Sequence, residues 1–537
     1  MTAGSRNAAG AVVLFFAAVG AACATPTTSK PAVGAVPPVS PTVVVSAAPA
    51  PLPAVPERQT ADAPFRQQAP GAGAEPTFTP PHWKRFKLKN GLDVFLVEFH
   101  DLPLVDFNLM VKTGGAANPA DRAGLADMTA RMLDEGTKTR GAIQIADQIA
   151  SLGATLATGG TWDASSIGLS TLSRNLDPAL EIFADVVQHP AFDDKEFTRV
   201  RDNLLTAITR RKDSPPTVAN LAFARLLYGT KHPYGWPMTG VDASVRKLAP
   251  ADLRGFYEAR WRPNNAVLIV TGDVTEASLR PRLEQLFKGW HGHAAAARKL
   301  PAPVGAAPKT KIFLIDKADA PQSSIRVGLV GIERTNPDYF PATIMNMILG
   351  GGFYRLDLNL REGKGWTYGA RSNFETRKTA GPFSAGGEFV ALHTADSVAE
   401  ILKEVNAMRD VEVTDAELGR AKNNIVKSFP ARFATRGSTA AQLAELAVYG
   451  LPDSYLRDYT AKLEAVTKED VHRVARKYLD PAKLTVVVVG DEASLHAGLD
   501  KIAPVELRDL DGNPVAAAPP VATDGAAKPA PAGKAAE

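Results

Sequence analysis

Apolar and polar positions alternate through HWKRFKLKNGLDVFLVEF, residues 82–99, on both sides of Asn90-Gly91. Successive side chains of a strand point to opposite faces, so this pattern predicts two strands. Asn-Gly accepts positive φ at both turn positions and predicts a hairpin between them. DFNLMVKTG, from Asp106, predicts a third strand. Helical periodicity follows at about 121–134, 143–151, 176–187, 193–212 and 250–259. Val267 to Thr271 is nearly all apolar, which predicts a central strand covered on both faces. KIFLID and SSIRVGLVG then open a second series of strands, and LTVVVVGD closes it.

The second series repeats the first. KLAPADLRGFYEARWRPNNAVLIVTGDV ends at Val274, and AVTKEDVHRVARKYLDPAKLTVVVVGDE ends at Glu492. Asp252 matches Asp470 and Gly272 matches Gly490, both 218 residues apart, while Tyr228-Gly229 matches Tyr449-Gly450 at an offset of 221. A period this long means a duplicated domain rather than a solenoid. The expected fold class is α+β, with two homologous domains. Each is a largely antiparallel sheet with helices packed on one side.

Composition limits the partners and places the ends. The 537 residues are 45% hydrophobic and 22% charged with a net charge of +4, which is too weak to argue for nucleic acid or an anionic membrane surface. Residues 11–22, AVVLFFAAVGAA, follow Arg6 and are too short to span a bilayer. With the small residues and Cys23 after them, they read as an export signal over 1–23, with Cys23 as the lipidated residue; ordinary cleavage near Ala22-Cys23-Ala24 is the alternative. Cys23 is the only cysteine, so no internal disulfide or thiolate metal site can form. Residues 24–80 are a Pro/Ala-rich tether and 511–537 an Ala/Pro-rich tail of the same character. Between them lie an N-terminal domain at 81–291, a linker at 292–308 and a C-terminal domain at 309–510.

The candidate chemistry sits in DRAGLADMTARMLDEGT. Leu125, Met128, Met132 and Leu133 form the expected buried stripe, and Gly136 is expected to stop the helix. Asp127, Ala130, Arg131 and Asp134 share another face. The stretch resembles the zinc-site helix of the pitrilysin/insulinase-type metallopeptidases, which include the mitochondrial processing peptidases. There a helix preceded by Gly-Leu-Ala carries His-x-x-Glu-His, with two zinc ligands one turn apart and a glutamate that activates water. This chain has Gly124-Leu125-Ala126. The resemblance then puts Asp127 at the first ligand position, Ala130 at the general base, Arg131 at the second ligand and Ala207 at the third. Alanine cannot exchange a proton, and arginine repels a cation. Asp127 and Arg131 have instead the spacing and order of a helical ion pair, expected to replace the metal. LYGTKHPYGWPMTG, DLRGFYEARWRPNN and LIVTGDV also stand in the family's order, so the resemblance covers nearly all of 84–495.

Other candidates are weaker. His291 and His293 have no carboxylate pattern beside them, and His232 falls in the family's HPYG loop in a structural position. Gly350-Gly351-Gly352 lacks the Gly-Lys-Ser/Thr of a phosphate loop and is expected to allow close helix packing. In GGGFYRLDLNLREGKGWTYGARS the resemblance assigns Arg361 and Tyr368 to substrate binding beside zinc carried by another domain or subunit. The alternative is that Arg361 pairs with a surface acid and Tyr368 packs on its strand.

The resemblance implies half of a four-domain clamshell. The chain would then be a noncatalytic, substrate-binding subunit in the bacterial cell envelope, lipid-anchored and facing the periplasm. It would bind peptides and complete the chamber of a zinc-bearing partner of the same family, with no zinc of its own. An envelope-anchored scaffold without proteolysis is the alternative. A peptidase active by itself with unusual ligands is the third reading, disfavoured by the ligand chemistry.

Overall fold

The computed structural model describes residues 78–297, 299–304 and 309–515, so the expected export signal, Cys23 and most of the tether and tail lie outside the described residues. The hairpin across Asn90-Gly91 forms as expected, from β1 (Lys84–Lys87) and β2 (Asp93–Glu98), with Gly91 at φ 93°. β3 (Leu104–Val111), β4 (Thr155–Gly160), β5 (Ser165–Leu172) and β6 (Ala266–Gly272) complete a first sheet in the order β1-β2-β6-β3-β5-β4. The second half holds β7 (Lys311–Asp316), β8 (Gln322–Val330), β9 (Thr367–Phe374), β10 (Pro382–Val390), β11 (Thr485–Gly490) and β12 (Val505–Arg508). Its order is β12-β7-β11-β8-β10-β9. Without β1 and β12 the two orders are the same, strand for strand, so the duplication in the sequence is a duplication of topology. Both sheets are mostly antiparallel, with parallel pairs at β2–β6, β7–β11 and β7–β12.

Each sheet packs its own half's helices on one face, and a helix from the other half covers the opposite face. The Pro215–Tyr228 helix of the first half lies on β11 and β8. Its Val218, Ala222, Phe223 and Leu227 share a core with Phe313, Ile315, Val487 and Val489. In return, the Arg436–Tyr449 helix lies on β6 and β3, and the Arg436 Nε donates to Asp106 at 2.9 Å. The alternation of a strand sorts the side chains between the two cores. Val94, Leu96, Leu268 and Val270 face the first half's core, while Phe95, Val97, Val267 and Ile269 face the second half's. The strand at 267–271 is apolar throughout because both of its faces are covered. The expectation of helices on one side therefore holds within each half and is completed by this exchange.

Three local expectations are corrected. The helix expected at 121–134 is α-helical only over Leu125–Arg131. Gly136 is not its stop, because the chain has already left the helix at Met132; Gly136, at φ 128°, instead bridges Gly141 in the following turn. The fold also extends past both expected edges. Phe78 meets Phe429 edge-to-face and Phe433 at a tilt. Beyond 510, Asp511 pairs with Lys212 at 2.8 Å.

The exchange predicts that the halves stand or fall together. Phe223→Ala removes an aromatic ring from a helix of the first half, yet it should cost about 3–5 kcal/mol through the second half's sheet. Urea unfolding followed by fluorescence should show one transition at lower midpoint. A loss below about 1 kcal/mol, or a second transition for the second half alone, would contradict the packing.

Candidate functional site

The site helix is fixed at its start. Gly124 has φ 97°, and a Cβ there would stand 2.9 Å from the Thr239 carbonyl oxygen. The Ala126 N–H donates to Asn118 Oδ1 at 2.9 Å, and Ser244 Oγ donates to the Ala123 carbonyl at 2.8 Å. The expected stripe is buried, and so are Asp127 and Ala130 on the other face.

Asp127 is 6% exposed, and the Arg131 Nε donates to its Oδ2 at 2.6 Å. The guanidinium is half-exposed, so it reaches water while neutralising a carboxylate that does not. Burial raises the Asp127 carboxyl above its ordinary value, and Arg131 opposes that shift by its charge and its hydrogen bond. Ala207 lies exposed on the Asp194–Arg210 helix. Arg199 of that helix pairs with Glu196 at 2.8 Å and with Glu135, which holds it against the turn that follows the site helix. Beside that turn, Asp134 faces Thr158 of β4 at 3.5 Å, and burial pushes its carboxyl up to about 6.

A catalytic zinc needs three protein ligands and an open position. The residues at the corresponding positions are an aspartate already bound to a guanidinium, that arginine itself and an alanine, with a second alanine in place of the base. They do not fit the metal. Among the described residues, no group of three or more His, Cys, Asp or Glu side chains is placed to hold a metal ion. His291 and His293 are exposed. His232 is buried, and its Nδ1 accepts from the Tyr234 N–H at 3.0 Å. Burial lowers that imidazole to about 4, so the ring is neutral at ordinary pH.

Arg361 lies in a π-helical turn, Leu358–Gly363, between the Tyr339–Gly350 helix and β9. Such turns widen a helix by one residue and recur at functional positions. A residue missed in the sequence organises this region. Asp357 is fully buried and accepts from the Phe353 N–H at 3.1 Å and from the Ala370 N–H at 3.3 Å. It also faces Arg361 Nη1 at 3.7 Å. Asp357 and Arg361 repeat the Asp127–Arg131 spacing, and that shared i, i+4 pattern was the available signal. Arg361 further lies 3.4 Å from Glu362 and over the ring of Phe353. Both ion contacts are longer than hydrogen bonds, so its donors remain available. Tyr368, on β9, is 90% exposed and does not pack on its strand. The three glycines do allow close packing, since a Cβ on Gly350 would stand 2.2 Å from the Ser372 nitrogen. Among the described residues, no hydrogen bond or ion pair joins Asp127 or Arg131 to Arg361 or Tyr368.

Known proteins resemble the chain along most of the described fold. A family model described as insulinase (peptidase family M16) matches residues 96–231, and one described as the peptidase M16 inactive domain matches 247–425; together they cover more than half of the chain. The "Uncharacterized zinc protease YmxG" of Bacillus subtilis is 22% identical over 396 residues, which are 73% of this chain and 95% of that protein. The "Non-peptidase homolog YmxG" of Helicobacter pylori is 23% identical over 404 residues, 74% of this chain and 92% of its own. Among solved structures, a peptidase M16 inactive domain from Pseudomonas fluorescens superposes with a TM-score of 0.71 at 28% identity, covering 76% of this chain and 98% of that one.

The ion pair generates a pH-dependent prediction. The Asp127 carboxyl is raised in the fold above its ordinary 3.8. Its contribution to stability is therefore full below the unfolded value and lost as pH rises through the folded one. Arg131→Met removes the opposing cation and raises the folded value further. The variant should lose about 1–3 kcal/mol near pH 7.5, less than for a fully buried pair because the guanidinium is half in water. The loss should shrink toward pH 3.5, where the carboxyl is protonated in both proteins. Urea midpoints across that range read it, and a loss independent of pH would contradict the pairing.

Proposed function

The chain belongs to the insulinase family of M16 peptidases, and on that premise we propose that it is a noncatalytic, substrate-binding subunit that works with a zinc-bearing relative. The observation that carries this reading is the Asp127–Arg131 ion pair at the two positions where such an enzyme would place metal ligands. With alanine at 130 and 207, neither a base nor a third ligand is supplied. The partner contributes zinc and the water-activating glutamate, and this chain contributes the other half of an enclosing chamber.

Two features support a role in holding peptide. Arg361 presents unsaturated donors on a turn that packs against β9, which exposes the Tyr368 hydroxyl, and both groups can hydrogen-bond a peptide carbonyl or its developing oxyanion. Among the described residues β4 is an edge strand bonded only to β5, and it packs against the site helix. An extended peptide can add to such an edge through main-chain hydrogen bonds. In this proposal the export signal and Cys23 place the subunit at the bacterial cell envelope, lipid-anchored and facing the periplasm.

The test combines the purified chain with an M16 relative that retains His-x-x-Glu-His. The chain alone should not cleave a fluorogenic peptide mixture, and the combination should exceed the relative alone. Arg361→Ala should lower kcat/KM of the combination by about 10²-fold, the usual effect of losing an oxyanion donor. An undiminished rate with that variant would count against the role of Arg361. Failure of any zinc-bearing relative to associate would count against the subunit role as a whole.

A further inference from the structure

On the face of the first sheet turned toward the second half, a cavity of ≈ 210 Å³ opens where the Arg436–Tyr449 helix ends. It is remote in function from the site helix, which belongs to the opposite face. Arg85 of β1 and Lys112, just after β3, line it, together with Asp93 of β2 and Asp453 beyond the helix. Val267, Leu446 and Leu451 supply an apolar wall.

The cations in this cavity are poorly satisfied. Arg85 lies opposite Phe95 in the β1–β2 ladder, with its guanidinium carbon 5.0 Å from the ring centre. Its nearest carboxylates are Asp93 at 3.7 Å and Asp453 at 3.5 Å, and its N–H groups make no hydrogen bond among the described residues. Asp93 is shared with Lys87, at 3.6 Å. Asp453 is mostly in water, where its charge is screened. Lys112 makes no side-chain hydrogen bond or ion pair among the described residues. Its charged neighbours are Asp93, which attracts it, and Arg85 and Lys87, which repel it. Lys378 also approaches, with its ammonium donating to the Lys112 carbonyl at 2.7 Å. Burial holds the Lys112 amine below its ordinary value. An anion set against it would favour its charged form.

We infer that this cavity is a binding site for a small organic carboxylate with a short aliphatic tail. The planar guanidinium, backed by the Phe95 ring, offers a carboxylate paired donors, and Lys112 offers the neutralising charge. The tail lies on Val267, Leu446 and Leu451. The wall is formed by both halves of the chain, so the ligand would bridge them. This site needs no partner subunit and stands or falls separately from the role proposed above.

Isovalerate is the probe, with saturation-transfer NMR and calorimetry on the full chain. Binding is expected at roughly millimolar strength, as befits so few atoms. Isovaleramide has the same shape without charge and should bind at least about tenfold more weakly. Lys112→Met and, separately, Arg85→Gln should each weaken isovalerate by about tenfold or more. Arg85 is half-exposed, so its variant keeps the test valid if the Lys112 variant folds poorly. No isovalerate binding, equal binding of isovaleramide, or binding unchanged in the folded variants would each overturn the inference.

Discussion

Asp127 is held in the first half's core with its carboxylate 2.6 Å from a guanidinium one helical turn away. A carboxylate removed from water is tolerated only when a positive charge faces it or when it takes up a proton. Arg131 supplies that charge here, and in the proposed reading it stands where a zinc enzyme of this family would supply it with the metal. In the proposed reading the exchange closes the site to metal in two ways. The remaining acid is already occupied, and the new cation repels a second one. In the same reading Ala130 stands where the base would be, on a helix whose apolar stripe stays packed in the core.

That helix keeps its position because of constraints that do not depend on a metal. The Ala123-Gly124 and Thr239-Gly240 backbones press together at its start, Asn118 bonds its first turn, and Ser244 bonds the residue before its N-cap. Behind it, the sheet is shared between two cores. The exchanged helices bury Phe223 under the second sheet and Leu443 under the first. Because the two sheets have the same strand order, the halves invite comparison position by position. Each half carries a buried aspartate with a partly exposed arginine one turn on, but Arg131 is bonded to Asp127 at 2.6 Å, whereas Arg361 stands 3.7 Å from Asp357 and keeps its donors free. One spacing thus serves neutralisation in one half and presentation of a donor in the other.

Much of this was legible in the sequence. The hairpin at Asn90-Gly91, the duplicated halves and the Asp127–Arg131 pair all follow from local rules, since turn chemistry and i, i+4 spacing act over a few residues. The exchange of helices was not legible, because the apolar stripe of the Pro215–Tyr228 helix does not say which sheet it will meet. β4 and β5 were missed, since TLATGG has no apolar alternation and the buried face of SSIGLSTL is half polar, Ser165 and Thr171 beside Ile167 and Leu169. The helix end was misplaced for a related reason: Met132, the C-cap, and Leu133 continue the apolar stripe past the last residue of the helix, Arg131. Asp357 was passed over because its importance lies in two backbone N–H groups that only the folded chain brings to it.

The measurement that tests this account most directly is the metal content of the purified full chain, by mass spectrometry and without chelator. The account predicts zinc far below one ion per chain, in wild type and in Arg131→Ala alike. Zinc near one ion per chain, lost when Asp127 is changed, would show that this helix still holds a metal and would contradict the replacement of zinc by an ion pair.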